Sequence, residues 1–402
     1  MKVLINDGMD EEGLKLFEES HIETDTQNRD LGSLVKEIAQ FDGLIVRSAT
    51  KVEKEILEAG ANGNLKIVGR AGVGFDNIDI KSASECGIVV KWAPYGNTNS
   101  TAEHAFGLIL SVSKNIAQAH YSSQKGYWRK KQFQGTEISH KTLGIIGCGR
   151  IGQRLSELVR GLDMNVIGYD AYPDKVKVAF PESRIKYASK DEVFANSDYV
   201  SIHTSGEELV VSGREISLMK PTAYLINAAR GKHVDETALY EALKSNRIAG
   251  AGLDVYRIEP KEDAKGEPNF DSVFRGLENV VLTQHQAANT SEAQKKTSIE
   301  IARVVIDYLL KGDFFNAVNA GETVESEQRH VYSLFIHHRD VPGAFASINK
   351  LLGDNGINIR ENPSRQLGTD GSVMTVYLVH QKIESSLIKA LNGLDIVYKA
   401  RK

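Results

Sequence analysis

The 402-residue chain reads as an α/β protein with a doubly wound parallel sheet in the middle, a smaller α/β domain before it and a ferredoxin-like βαββαβ unit at the end. Three observations predict this. Six strand-like runs, at 142–146, 166–169, 199–203, 223–226, 249–255 and 280–283, alternate with helical stretches, the rhythm of a six-stranded parallel sheet. The first run leads straight into Gly147-Cys-Gly-Arg-Ile-Gly152, a strand, a turn and a helix start in succession. Beyond Val331 the order becomes strand, helix, strand, strand, helix, strand.

Composition narrows the class. With 41% hydrophobic and 25% charged residues the chain is ordinary globular protein, long enough for two or three domains. A net charge of -4 exerts no broad pull on nucleic acid or anionic lipid, so small molecules and other protein chains are the expected partners. Cys86 and Cys148 make neither a disulfide framework nor a metal-ligand pair. The start, Met1-Lys-Val-Leu-Ile, enters a strand pattern without a signal-peptide pattern, and no apolar run has membrane-spanning length, so the expected location is the cytoplasm.

Taken in order, residues 1–97 carry short β-branched runs at 3–5, 43–46, 65–68 and 88–90, a small α/β domain that residues 286–319 are expected to complete. Arg47 and Arg70 lie just past strand ends, where two cations can bind an anionic substrate. The glycines of 69–79 read as a surface loop, since no helical pattern follows at once. From Pro94 a turn becomes a long apolar-periodic helix reaching about Gln118, and a second helical stretch ends in Gly126-Tyr-Trp-Arg-Lys-Lys-Gln-Phe133. Taken by itself, the cluster Arg129, Lys130 and Lys131 reads as a solvated charge run.

Residues 98–285 are expected to form a dinucleotide domain. Gly147 allows the tight turn, Gly149 lets the backbone approach a pyrophosphate, and Gly152 lets the helix pack close to the strand. Asp170 ends the next strand run, 18 positions after Gly152, where it can accept hydrogen bonds from ribose hydroxyls and would repel a 2′-phosphate. NAD is therefore favoured over NADP. Asp170, His203 with Thr204, Asn227 with Arg230, Asp254 and His285 all fall at or just beyond strand carboxyl ends, the edge at which open α/β sheets bind ligands.

A nicotinamide moves hydride but not the hydroxyl proton, so the site needs an acid/base with a pKa near neutrality. His285 is the candidate, with Glu259 to orient its imidazole and Arg230 to hold a substrate carboxylate in its planar fork. The amphipathic helix 291–310 then leads to the polar stretch 320–330, where a domain boundary is expected, with 330–402 the last domain.

Several stretches together, Ile45-Val-Arg-Ser-Ala-Thr50, Val68-Gly-Arg-Ala-Gly-Val-Gly-Phe-Asp-Asn-Ile-Asp79, Gly96-Asn-Thr98, Ala102-Glu-His104, Gly147 to Gly152, Ala228-Ala-Arg-Gly231, Leu253-Asp-Val-Tyr256 and Glu259-Pro260, resemble the D-isomer-specific 2-hydroxyacid dehydrogenase family. The resemblance implies a flavodoxin-like substrate domain and a catalytic set of Arg230, Glu259 and His285. It implies NAD contacts at Gly147, Gly149, Arg150, Ile151, Gly152, Asp170, Thr204, Ala228, Ala229, Asp254, Ala287 and Ala288. For a phosphorylated 2-hydroxy acid it implies Arg47, Ser48, Arg70 and Asn97, and it turns Arg129, Lys130 and Lys131 into a segment that reaches a neighbouring subunit's site in a homo-oligomer. Gln284 stands where the family usually has Pro, and Ser205 ends what is usually His-Thr-Pro.

The tail is similar to the ACT domain, a regulatory module, through His337-His-Arg-Asp-Val-Pro-Gly343 and Asn355-Gly-Ile-Asn-Ile359. Its effector positions are His338, Asp340 and Asn358, with L-serine as the effector the resemblance suggests. An ionised Asp340 accepts from an ammonium but cannot donate as the usual amide does. Two other readings stand beside the first: a dehydrogenase for an unphosphorylated 2-hydroxy acid, such as a hydroxypyruvate or glyoxylate reductase, and a non-enzymic NAD-sensing corepressor.

Overall fold

Most of the parallel strands are four or five residues long and rich in Val, Ile and Leu, because branched side chains pack well on a pleat covered on both faces. The structure is a computed structural model that describes residues 1–206, 208–260, 269–320, 332–368, 371–379 and 381–402. The expected boundary segment lies, from 321 to 330, outside them. Two compact units result, Met1–Asn97 with Gln294–Lys402, and Thr98–Ala293.

In the first unit β1 (Lys2–Ile5), β2 (Glu23–Asp25), β3 (Gly43–Val46), β4 (Ile67–Arg70) and β5 (Val89–Trp92) form a parallel sheet in the order β2-β1-β3-β4-β5. Four strands were expected and five are present. The extra one, β2, is polar Glu-Thr-Asp at the sheet edge, which needs no apolar signature. Helix Ser291–Lys311 lies against this sheet and buries Ile301, Val305, Tyr308 and Leu309 with Val3, Ile5, Ile67 and Val89.

The tail contributes β13 (Tyr332–Arg339), β14 (Ile359–Glu361), β15 (Ser364–Leu367), β16 (Ser372–Val379) and β17 (Val397–Arg401), all paired antiparallel. The second strand of the expected βαββαβ unit is in two pieces, β14 and β15, on either side of Pro363, which has no N–H to donate to a ladder. Helices Ala344–Asp354 and Ser385–Leu391 cover one face of this sheet. On the other face Phe335, Met374, Val376 and Leu378 join the core of the first sheet. Arg401 completes the joint by donating to the carbonyls of Leu65, Cys86 and Gly87.

The second unit is a seven-stranded parallel sheet where six strands were expected. Its strands are β6 (Thr142–Ile146), β7 (Asn165–Tyr169), β8 (Lys186–Tyr187), β9 (Tyr199–Ile202), β10 (Tyr224–Asn227), β11 (Gly250–Leu253) and β12 (Val280–Leu282), in the order β12-β11-β10-β9-β6-β7-β8. The missed strand, β8, is two residues long and too short to show a period. The long helix also ends earlier than its periodicity suggests. It runs Thr98–Lys114, breaks at Asn115 with φ of 53°, and a separate helix Ile116–Gln124 follows. Asn is among the few residues that tolerate this left-handed geometry.

Candidate active site

Strand β6 delivers the chain into the glycine loop. Gly147 has φ of 92°, and a Cβ there would lie 2.7 Å from the backbone of His203 and Thr204. A Cβ on Gly152 would meet the Gly147 carbonyl at 2.5 Å, so the helix packs directly on the turn. Gly149 is different, because nothing lies within 4 Å of where its Cβ would be. It is the N-cap of helix Arg150–Arg160, an 11-residue helix whose start carries no side-chain cap from Gly149, and a helix start favours negative charge. Asp170, just past β7, accepts from the Cys148 amide at 2.9 Å and the Tyr172 amide at 2.8 Å, which fixes its carboxylate beside the loop. The Cys148 thiol is pushed up to about 12 by burial and by Asp170, so it stays protonated and adds no negative charge to the loop. These residues fit a pyrophosphate on the helix start and a ribose on Asp170.

Strands β10, β11 and β12 are neighbours, and each ends in a loop with one reactive side chain. After β10, Asn227 folds the turn, accepting from Ala229 N–H at 3.1 Å and donating to the Arg230 carbonyl at 2.9 Å. Ala228 and Ala229 form that turn, and Gly231 packs so closely on the next loop that a Cβ would sit 1.9 Å from Tyr256. Arg230 is half-buried, and its guanidinium donates to its neighbour's carbonyl, Ala229 O, at 2.7 Å. After β11, Glu259 accepts the Tyr256 amide at 3.1 Å on one oxygen and meets His285 Nδ1 at 2.7 Å with the other. After β12, His285 adopts φ of 50° and donates its amide to Asp254 O at 2.7 Å.

Asp254 is the hub of this edge. Its fully enclosed carboxylate accepts from Thr283 Oγ1 at 2.6 Å, Gln286 N at 3.0 Å and Ala287 N at 2.9 Å, and His104 Nε2 lies 3.2 Å away. Burial pushes its pKa up, but the His104, Thr283 and Gln286 hydrogen bonds more than offset this and hold it at about 2. The expected cofactor contact thus spends its carboxylate on shaping the loop that carries His285. His104 was not singled out from the sequence, because a histidine in mid-helix carries no local sign of a partner 150 residues away. Thr204, also expected at the cofactor, bonds His233 Nδ1 at 3.1 Å.

Comparison with known proteins places this geometry. Residues 106–287 match the model described as D-isomer specific 2-hydroxyacid dehydrogenase, NAD binding domain, and 332–395 match the ACT domain. A hydroxypyruvate reductase of Thermotoga maritima is 38% identical over 312 residues, 77% of this chain and 98% of that protein. The chain belongs to the D-isomer specific 2-hydroxyacid dehydrogenase family. A D-3-phosphoglycerate dehydrogenase of Archaeoglobus fulgidus is 38% identical over 352 residues, 87% of this chain and 64% of that protein. The chain therefore spans just under two thirds of that relative's length. Among solved structures, an acyclic imino acid reductase in complex with NADPH and D-Arg is 31% identical, with TM-score 0.68, over 79% of this chain and 100% of that one. D-2-hydroxyisocaproate dehydrogenase is 28% identical, with TM-score 0.66, over 79% of this chain and 99% of that one.

Of the residues expected at the substrate, Arg47, Ser48, Arg70 and Asn97 fall in the first unit. Arg47 follows β3, Ser48 is exposed beside it, Arg70 ends β4 with Nη1 on the Ala71 carbonyl at 2.6 Å, and Asn97 is the last residue before the second unit. In the second unit, Arg129, Lys130 and Lys131 are exposed, with Arg129 stacked 4.1 Å over the Tyr127 ring and Trp128 91% exposed next to it. In the tail, His338 is enclosed. Its Nδ1 lies 2.8 Å from the Arg339 carbonyl and its Nε2 2.9 Å from Thr375 Oγ1, so both nitrogens are engaged. Asp340 and Asn358 are exposed, and their backbone amides bond Gly371 O and Gln381 Oε1. The structure does not join these three through hydrogen bonds between their side chains.

No helix among the described residues is long and apolar enough to cross a membrane.

Proposed function

We propose that the chain catalyses NAD-dependent oxidation of D-3-phosphoglycerate to 3-phosphohydroxypyruvate, the first step of L-serine biosynthesis. The observation that carries the chemistry is the 2.7 Å contact of His285 Nδ1 with Glu259, in loops on adjacent strands at the carboxyl edge of the sheet. Glu259 accepts Nδ1–H, which leaves the Nε2 lone pair to take the substrate hydroxyl proton. As Nε2 gains that proton, the carboxylate stabilises the imidazolium. The Tyr256 amide holds Glu259 in the required orientation. Arg230, after β10, binds the substrate carboxylate in its fork and polarises the reacting carbon. When bound, NAD accepts the hydride from C2.

A phosphorylated substrate is supported by Arg47, whose guanidinium makes no ion pair or hydrogen bond among the described residues, and by relatives named D-3-phosphoglycerate dehydrogenase. The competing substrate is unphosphorylated hydroxypyruvate, which the Thermotoga maritima relative's name favours. Steady-state NADH oxidation with 3-phosphohydroxypyruvate, hydroxypyruvate and glyoxylate separates the two. The expected order puts the phosphorylated acid first in kcat/KM by at least about tenfold. Preference for either unphosphorylated acid overturns the proposal. A homo-oligomer is proposed as well, because exposed Tyr121, Tyr127 and Trp128 beside Arg129, Lys130 and Lys131 form an aromatic and basic surface suited to a second copy. Small-molecule control through the ACT domain belongs to the same reading, and an effector that used His338 would have to displace Thr375 or the Arg339 carbonyl.

A further inference from the structure

Arg47 meets an anion at a smaller entropic cost when its long, flexible side chain starts from a fixed backbone. The loop 47–50 is tied at both ends by the same two side chains. Asp7, just past β1, accepts from Arg47 N–H at 2.7 Å and Thr50 N–H at 3.1 Å on one oxygen, and from Thr50 Oγ1 at 2.5 Å on the other. Asn77, in the glycine-rich loop after β4, uses both protons of its amide, donating to Arg47 O at 2.7 Å and Thr50 O at 2.6 Å. Asn6 adds a donor to Thr50 Oγ1 at 2.8 Å. The backbone of Arg47 is thereby held through both its N–H and its C=O, while Ser48 and Ala49 between the ties stay exposed.

Arg47 helps to line a cavity of 230 Å³, together with Asp7, Met9, Ala71, Thr297 and Ser298 among others. A carboxylate next to an anion site would ordinarily repel the ligand. Three donors pointing at Asp7 offset that repulsion and convert the carboxylate into a fixing point.

We propose that Asp7, Thr50 and Asn77 are positioning residues that set the preference for a phosphorylated substrate by holding Arg47 in place. This rests on the reading of Arg47 as the phosphate contact. The test is a kinetic selectivity ratio, kcat/KM for 3-phosphohydroxypyruvate over that for hydroxypyruvate. Thr50→Val keeps the shape and removes the hydroxyl, and it is expected to lower the ratio at least about tenfold through KM of the phosphorylated acid, with NADH affinity moving less than about twofold. Thr50→Ser is expected to restore the ratio. Asn77→Ala, which cuts the second tie, is expected to give the same signature and serves if Thr50→Val melts below assay temperature. Equal losses on both substrates, or no rescue by Thr50→Ser, would reduce the clamp to a folding element and overturn the proposal. A wild-type enzyme without phosphate preference overturns the functional reading first and this inference with it, whereas a wild-type preference that both variants retain overturns the clamp alone.

Discussion

His203, at the end of β9, shows how one side chain can serve geometry at a cost in acid tolerance. Its Nε2 bonds Ser201 Oγ at 2.8 Å and the residue is half-buried with Nδ1 shut off from solvent, so burial pushes its pKa from 6.5 down to about 4. Between those values the unfolded chain takes up a proton that the folded chain refuses. Stability should therefore fall as pH drops from 6.5 to 4, by roughly 3 kcal/mol in all. Urea titrations at intervals across that range check this, and His203→Gln should flatten the slope by about that amount. At the same scale, Arg230, Glu259 and His285 could be found from their neighbours in sequence, because each follows a strand run by a few residues. His104 and the Asp7 clamp could not, since their partners lie in other loops or helices.

At the scale of elements, the junction from β6 through the turn to helix Arg150–Arg160 works only with glycine at its first position. The 92° φ of Gly147 and the 2.7 Å approach to the His203 and Thr204 backbone leave a methyl group no room, and backbone cannot rotate aside as a side chain would. Gly147→Ala should displace the loop and weaken NADH binding by at least about tenfold, read by fluorescence titration, a loss consistent with about 1–3 kcal/mol of backbone strain. The motif spacing made this element legible. The edge strands β2 and β8 were not, because edge strands that are polar or two residues long lack the alternation on which such readings depend.

At the scale of the molecule, the tail is part of the core of the first unit. Phe335 on β13 is 2% exposed, stands 5.3 Å from the Tyr308 ring of helix Ser291–Lys311, and has the Lys66 ammonium 5.5 Å above it. Lys66 is itself enclosed and paired with Asp42, and Arg401 donates to the carbonyls at the starts of β4 and β5. Phe335→Ala should thus cost about 3–5 kcal/mol and destabilise the first unit's parallel sheet along with the tail. Trp92, at the end of β5, reports on that sheet once Trp128 is replaced by Phe, so in a Trp128→Phe background its fluorescence and the far-ultraviolet signal should shift to lower denaturant together in the variant. A variant in which Trp92 keeps the wild-type midpoint would mean that the two sheets unfold separately.

Strand rhythm, glycine spacing and the placement of charged residues at strand ends are local properties, and they determined the fold class and pointed to the dinucleotide loop and to Arg230, Glu259 and His285 as candidates from the sequence alone. The burial of β16 on both faces was also written locally, in the nearly continuous apolar run Val-Met-Thr-Val-Tyr-Leu-Val. What covers its second face was not. That the cover is the sheet bearing Arg47 and Arg70, that Asp254 is spent on the His285 loop, and that Asp7 and Asn77 close on one four-residue loop were decided only by tertiary structure. Hydrogen bonds and packing between residues far apart in sequence leave no periodic trace in either partner's own segment.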